Sequence, residues 1–368
     1  MFAKIRITHI LYLSFFVSFF VATTLVSALY FSKKTVNKKL PTFKKELERY
    51  IPKEPEKEFY NVLLMGYGGT GHPGGGLTDA NIVASFNLTE KKVTLIAVPR
   101  DLWALLPIRS DMKDNFKINA AYAIGNDDNG YPLKEPIYKG TSGGSNMAKE
   151  VFGRTLGLNI DYYISIDFSR FENLIDSIGG IDVNVPVSFT DEYFPIKGNE
   201  NLLCDFTPEE NADLNSKYSG FELEKNYKCR YETLTFNEGK QSMDGATTLK
   251  FIRSRHSETQ GSDFARGQRE QAVLIAIQQK LLTLDGIKNI DKFYDQFTKL
   301  VSTDITRESV LEFLSKAGDL SVYSVNKINL STENYLVSST SKDKQSILIP
   351  RTGVNNFTEI QEFLQKNI

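Results

Sequence analysis

Histidine and cysteine are scarce in this chain, three and two among 368 residues, and there is a single tryptophan. So few imidazoles and thiols exclude a multi-ligand zinc site of the Cys and His kind. An excess of charge of either sign is also missing, since 44 Lys+Arg stand against 45 Asp+Glu for a formal net charge of -1. Bulk attraction to nucleic acid is thereby excluded as the main task, and any anion site has to be built locally. Internal repeats are absent. What the chain does have is apolar content, 41% hydrophobic against 24% charged, which suffices for a sizeable core and rules out a disordered polymer or a disulfide-knit miniprotein. Chemistry based on carboxylates, arginines and an oxygen-liking cation stays open.

One long stretch lacks charge altogether. From Thr8 to Ser32 there is no Lys, Arg, Asp or Glu, and Ile10 to Phe31 is almost unbroken apolar sequence. Roughly 20 such residues cross a bilayer core. Lys4 and Arg6 precede the run, but Lys33, Lys34, Lys38 and Lys39 follow it, so basic flanks alone do not orient it. A cleaved signal peptide ending at Val26-Ser27-Ala28 is the alternative; the run exceeds the roughly 7 to 15 apolar residues of a signal sequence, which favours a retained anchor. The expected organisation is a tail (1–9), a transmembrane helix (10–32), a juxtamembrane stalk rich in Lys, Glu and Pro (33–59), a folded domain (60–285) and a C-terminal extension without chemical motif (286–368), packed on the same domain. Cys204 and Cys229 lie in a polar stretch from Ser188 to Lys240, where they close a loop by disulfide outside the cytoplasm or stand as two thiols.

Within the domain, Asn61 to Met65 reads as a buried strand running into Gly66 to Gly76, a loop with seven glycines. The loop lacks the Gly-Lys-Ser/Thr ending of a P-loop, so a P-loop NTPase is rejected. Ile82 to Phe86 and Val93 to Val98 predict an antiparallel hairpin around a short polar turn. With Leu88 facing Lys91, the same register sets Asp79 opposite Arg100 at the open end. Further along, Ser145 to Leu156 reads as a helix, Tyr162 to Phe168 as a strand, Ser169 to Ile178 as a helix capped by Ser169, and Ile181 to Val185 as a strand. Asp244 caps a helix through Phe251, and Asp263 opens another through Leu282 with Val273, Ile277 and Leu281 as its apolar stripe. Helices alternating with strands around an initial hairpin predict a three-layer α/β/α fold on a central mixed sheet.

Arginines are concentrated between those two helices. Arg253 and Arg255 share a face if the chain is extended there, and Arg266 and Arg269 share a face in the first turns of the next helix. Cations at a helix N-terminus oppose the macrodipole by about 0.3–1 kcal/mol each unless an anion sits nearby. Four guanidiniums beside exposed helix N–H groups suit a phosphate or pyrophosphate. A solvated basic edge, or ion pairs to Asp263, Glu258 and Glu270, is the alternative from spacing alone. The second cluster, Asp79, Arg100 and Asp101, favours the anion site, because a carboxylate beside a pyrophosphate is repelled unless Mg²⁺ bridges them. A Ser-His-Asp scheme has only His256 as a usable member, since His9 lies in the apolar run and His72 in the glycine loop.

These residues in this order resemble the LytR-CpsA-Psr family of bacterial cell-envelope proteins. The likeness is carried by Asn61 to Gly66, Thr78-Asp79, Val98 to Asp101, Lys117 to Tyr122, Gly179 to Val183, Asp244-Gly245 with Arg253-Ser254-Arg255, and Asp263 to Arg269. It implies a single-pass membrane protein with its N-terminus in the cytoplasm and a catalytic domain outside, holding a polyprenyl tail in an apolar tunnel. The implied activity is transfer of a glycopolymer from a polyprenyl-pyrophosphate carrier to peptidoglycan through a phosphodiester link, assisted by Mg²⁺ or Mn²⁺. By position, Arg100, Arg253, Arg255 and Arg266 would hold the pyrophosphate, with Arg269 and Lys117 supporting. Asp79 and Arg100 would be catalytic, and Asp79 and Asp101 would face the metal. Two positions depart from the family pattern toward fewer polar groups: Leu77 replaces an arginine, and the loop after the first strand lacks an acidic residue. A third, Glu270, replaces a common glutamine. Hydrolysis of the same lipid pyrophosphate, or non-catalytic binding of lipid or envelope polymer, are the alternative functions.

Overall fold

The computed structural model describes residues 58–69, 74–282, 298–319 and 322–368, without the side chains of Asp263, Gln278, Leu281 and Leu282. The tail, the transmembrane helix, all but the end of the stalk, and His72 lie outside the described residues. Among the described residues no helix is long and apolar enough to cross a membrane.

The chain begins with β1 (Phe59–Tyr67), β2 (Thr78–Asn87), β3 (Lys92–Ala97), β4 (Trp103–Arg109), β5 (Met112–Lys117), α1 (Ala120–Asn126) and α2 (Gly143–Leu156). It continues through β6 (Tyr162–Asp167), α3 (Phe168–Ser177), β7 (Ile181–Val185), β8 (Phe189–Pro195), α4 (Pro208–Lys217), α5 (Gly220–Glu224), β9 (Tyr231–Phe236) and β10 (Gly239–Met243). Next come α6 (Gly245–Arg253), α7 (Asp263–Leu282), β11 (Ser302–Thr303), α8 (Arg307–Ala317), β12 (Ser324–Asn329), β13 (Leu336–Thr340), β14 (Ser346–Pro350) and α9 (Thr358–Asn367).

Six strands form one mixed sheet in the order β11-β6-β1-β2-β3-β12. β1 runs parallel to β6 and β3 parallel to β12, while β1/β2 and β2/β3 are antiparallel. The β2/β3 hairpin has the predicted register, with Ile82 opposite Ala97 and Asn87 opposite Lys92. Alternation along a strand sends neighbours to opposite faces, and both faces are buried here: Val62 and Leu64 join one apolar core, Leu63 and Met65 the other. The first core is completed by α3, α6, α7 and α8, through residues such as Leu174, Phe251, Val273 and Phe313. The second is completed by α1, α2 and α9, through Ile124, Phe152 and Leu364. A strand buried on both sides explains why Asn61 to Met65 reads as a continuous apolar run.

Two local expectations change. Helix α3 starts one residue early and is capped by Asp167, whose Oδ1 accepts from the Arg170 N–H at 2.9 Å; the carboxylate of Asp167, not Ser169, fills the cap. Helix α6 runs on to Arg253, so Arg253 and Arg255 are not alternating residues of an extended segment but flank the end of a helix, with Ser254 as its C-cap. In α7, Val273 and Ile277 are buried as the stripe required, while the Leu281 side chain lies outside the described residues.

Candidate active site

The hairpin delivers the first pair of groups. Asp79 lies at the start of β2 and Arg100 just beyond β3, after Val98-Pro99, so the register that buries Val83 and Ile96 also brings the two together. Arg100 Nη1 donates to Asp79 Oδ1 at 2.6 Å. Burial raises the Asp79 pKa, but the Arg100 hydrogen bond and the charges of Arg100, Arg255 and Arg266 outweigh it and hold the carboxyl below its ordinary value.

The α6–α7 corner supplies the rest. The N-terminus of α6 is set by Asp244, which accepts from Thr247 N–H at 2.8 Å, and by the Gly245 N–H donating to Asp176 at 2.7 Å. A Cβ on Gly245 would collide with the Glu172 carbonyl, so glycine is what lets α6 lie this close to α3. At the other end of α6 the Arg253 guanidinium stacks over the Phe168 ring, 4.7 Å from its centroid. Burial lowers the Arg253 pKa, with Asp79 and Glu172 partly offsetting it. Arg255 Nη2 reaches back to Asp79 Oδ1 at 3.5 Å. Arg266, one turn into α7 and almost buried, pairs with Glu270 at 3.8 Å.

The turn between the helices is held from beneath by a residue that no sequence motif selects. Asp191 on β8 is fully buried, and its Oδ2 accepts from Ser254 Oγ at 2.6 Å, Arg255 N–H at 3.0 Å and His256 N–H at 3.1 Å. Its Oδ1 accepts from Tyr193 N–H at 3.0 Å. Arg269 serves the same turn. Its Nη1 and Nη2 donate to the carbonyls of Gln260 and Ser254 at 2.7 and 2.6 Å, and its guanidinium lies over Phe189. Burial pulls the Arg269 pKa down to about 10, still well above neutral pH. His256 is packed as a structural ring, stacked 4.3 Å from Phe221, with Nδ1 donating to the Tyr193 carbonyl at 3.1 Å.

Asp79, Arg100, Arg253, Arg255 and Arg266 therefore line one cleft of about 380 Å³, together with Glu270. Arg269, Asp101 and Lys117, expected at the same site, are not on its wall. Arg269 braces the turn behind it. Asp101 is bound to Lys117 at 2.6 Å and lies 3.5 Å from Arg100 Nε, so Asp101 and Lys117 support Arg100 from outside. The inner end of the cleft shares Ala80, Phe168, Ile252 and Glu270 with an apolar cavity of about 50 Å³ between the sheet and α3, α6 and α7, lined by Leu64, Ile82, Phe171 and Val273. Guanidiniums at the mouth and hydrocarbon behind them make a site for an anionic headgroup on an apolar tail.

A model of the LytR_cpsA_psr family matches residues 25–358. The chain belongs to the LytR_cpsA_psr family. Among its relatives is the polyisoprenyl-teichoic acid–peptidoglycan teichoic acid transferase TagU of Enterococcus faecalis, 25% identical over 252 residues, 68% of this chain and 63% of that protein. TagV of Bacillus subtilis, named as the same kind of transferase, is 24% identical over 253 residues, 68% of this chain and 51% of TagV. The match thus spans between half and two thirds of those relatives. The crystal structure of B. subtilis TagV superposes with a TM-score of 0.55 at 21% identity, covering 85% of this chain and 98% of that one. TagT bound to LIIa-WTA superposes with a TM-score of 0.52 at 19% identity, covering 87% and 94%. These likenesses establish a shared fold.

For a LytR_cpsA_psr domain the fit of a divalent cation can be tested on the side chains. Among the described residues no group of three or more His, Cys, Asp or Glu is placed to hold a metal. Mg²⁺ does not need such a cage, because it commonly takes one or two carboxylates and completes its shell with water and substrate phosphate. Asp79 and Glu270 on the cleft wall meet that smaller requirement, and the carboxylate of Asp101 is directed to Lys117.

Proposed function

We propose that the protein is a membrane-anchored phosphotransferase, moving a glycopolymer from a polyprenyl-pyrophosphate carrier to peptidoglycan on the outer side of the bilayer. The observation that carries this reading is the convergence of Arg100, Arg253, Arg255 and Arg266 on a cleft that opens into an apolar cavity. The transferase activity for which the TagU and TagV relatives are named supports it.

The arginines bind the pyrophosphate by forked, charge-assisted hydrogen bonds and stabilise the charge that develops on its oxygens. Mg²⁺ or Mn²⁺, held by Asp79 with phosphate oxygens, would supply further charge neutralisation. A hydroxyl of the acceptor sugar attacks the phosphorus that carries the glycan; the new P–O bond forms as the bond to the bridging oxygen breaks, and lipid phosphate departs with the electron pair and takes up the hydroxyl proton. Asp79 is held ionised and accepts the hydrogen bond of the incoming hydroxyl, while its depressed pKa makes it an orienting group more than a strong base. The apolar cavity of about 50 Å³ lies directly behind the arginines, where the first part of a prenyl tail would enter.

The test incubates the full chain with polyprenyl-pyrophosphate-linked glycan, with and without Mg²⁺ and peptidoglycan. Metal-dependent linked product supports transfer. Release of free phosphorylated glycan without linkage assigns hydrolysis, and binding without turnover assigns a carrier-binding role.

A further inference from the structure

The three carboxylates on the cleft wall are already committed to other partners. Asp79 is bonded to Arg100 and Arg255, Asp191 receives four donors, and Glu270 is paired with Arg266. The arginines keep their protons and only donate. An incoming hydroxyl therefore finds groups to orient it and none suited to take its proton. One further residue of the wall, His256, belongs to the side-chain class that gains and loses a proton near neutral pH.

Its surroundings fix one ring nitrogen and spare the other. Strand β8 holds the residue through a closed set of bonds: Asp191 accepts from the His256 N–H at 3.1 Å and from the Tyr193 N–H at 3.0 Å, and the Tyr193 carbonyl accepts from His256 Nδ1 at 3.1 Å. Phe221 covers a ring face at 4.3 Å and 10°, and is itself steadied by the edge-on Tyr193 ring at 5.3 Å and the Lys225 ammonium at 5.1 Å. An imidazole that gives its Nδ1 proton to a carbonyl carries its lone pair on Nε2. Among the described residues no hydrogen bond engages that nitrogen. The ring is only half-buried, and it follows Arg255, whose guanidinium reaches Asp79. An oriented imidazole with an unused lone pair beside an anion cradle is the arrangement of a general base.

We infer that His256 is the proton acceptor for the hydroxyl that attacks the phosphorus. The inference rests on the phosphoryl-transfer reading of the cleft and adds a step to it. As the new P–O bond forms, the O–H bond breaks and its proton passes to Nε2. The bond to the bridging oxygen breaks, lipid phosphate leaves with that electron pair, and it takes the proton from Nε2, so the ring ends neutral. Asp79 orients the hydroxyl, and the bond to Tyr193 keeps the lone pair on Nε2.

The test measures turnover of polyprenyl-pyrophosphate-linked glycan by the full chain with Mg²⁺ and peptidoglycan, scored as linked and as released product, beside calorimetric binding of geranylgeranyl pyrophosphate. His256→Asn keeps an amide N–H for the Tyr193 carbonyl, and His256→Phe keeps a ring to stack on Phe221; neither accepts a proton. Both should bind the lipid pyrophosphate as the unsubstituted chain does and turn over roughly 10²- to 10⁴-fold more slowly. Added imidazole should restore turnover to His256→Ala, the more so with more basic substituted imidazoles, a response that a purely structural ring would not give. The assignment is overturned if either the Asn or the Phe variant turns over like the unsubstituted chain, if the lost turnover is matched by lost binding, or if imidazoles restore nothing. An unsubstituted chain that only releases glycan removes the transfer reading and leaves His256 to be judged by the same ratios, whereas no turnover of either kind removes both.

Discussion

Single residues divide the site into groups that meet substrate and groups that hold them. Asp191 belongs to the second class. Four hydrogen bonds converge on its buried carboxylate, so Asp191→Ala leaves buried donors unpaired and should cost about 3–5 kcal/mol, measured as a fall in the chemical-denaturation midpoint. Asp191→Asn keeps part of the acceptor capacity and should cost less. Asp79 is different, because its carboxylate faces the cleft. Asp79→Ala should leave lipid-pyrophosphate binding in place and abolish turnover, whereas Arg253→Ala or Arg255→Ala should weaken binding itself. The pH dependence has a defined sign. The folded-state pKa of Asp79 is depressed, so its contribution to stability is present above the ordinary aspartate range and is lost as pH falls through the depressed value. Rate profiles should accordingly show no Asp79 ionisation between about pH 5 and 9. Asp79 and Arg100 were legible as a pair because a hairpin register can be read from a turn. Asp191 was not, because nothing near it in the sequence reveals that β8 passes under a turn more than sixty residues on.

At the scale of elements, close helix packing fixes where the arginines point. A Cβ at Gly267 would lie 2.6 Å from Asn329 Oδ1 and 3.1 Å from Ala97 Cβ, so α7 approaches β3 and β12 only because this position is glycine. Gly267→Ala should destabilise the fold by roughly 1–3 kcal/mol and shift Arg266 away from the cleft, seen as a lower Tm together with weaker pyrophosphate binding. The excursion between β8 and β9 is braced by the Cys204–Cys229 disulfide and docks on the site through the Phe221–His256 stack. Closing a loop of 25 residues contributes about 3 kcal/mol in the chain-entropy view. Cys204→Ser with Cys229→Ser should therefore raise amide exchange across α4 and α5 before it affects the central sheet. Most helices were legible from caps and apolar spacing. The end of α6 was not, because the sequence pattern stops at Phe251 while the backbone hydrogen bonds run on to Arg253, and that difference converts an extended pair of arginines into a helix end.

Across the whole molecule, the sheet is completed from far along the chain. Its two edge strands, β11 and β12, come from residues 302–303 and 324–329, beyond the segment that carries the site. Neither was legible as a sheet member. A two-residue strand leaves no periodic pattern, and the parallel partner of β3 is more than two hundred residues away in sequence. The central strands were legible because burial on both faces makes them apolar throughout. This architecture places one helix, α7, between the arginine-lined cleft and a cavity whose lining carries a single charge, Lys327, and places a narrow apolar seam between α7 and the sheet. If a prenyl tail occupies that seam, lipid binding should raise amide-exchange protection in α3, α6 and α7 together and leave α1, α2 and α9 unchanged.

The central claim is that separate arginines act on one diphosphate attached to a hydrocarbon tail. Calorimetric titration of the full chain with geranylgeranyl pyrophosphate, alongside Arg100→Ala, Arg253→Ala, Arg255→Ala and Arg266→Ala, measures that directly. The account predicts that each substitution weakens binding by roughly tenfold or more, as expected for loss of a charge-assisted hydrogen bond, and that inorganic pyrophosphate binds more weakly than the lipid. Equal affinity of all four variants and the unsubstituted chain, or no preference for the prenylated ligand, would contradict it.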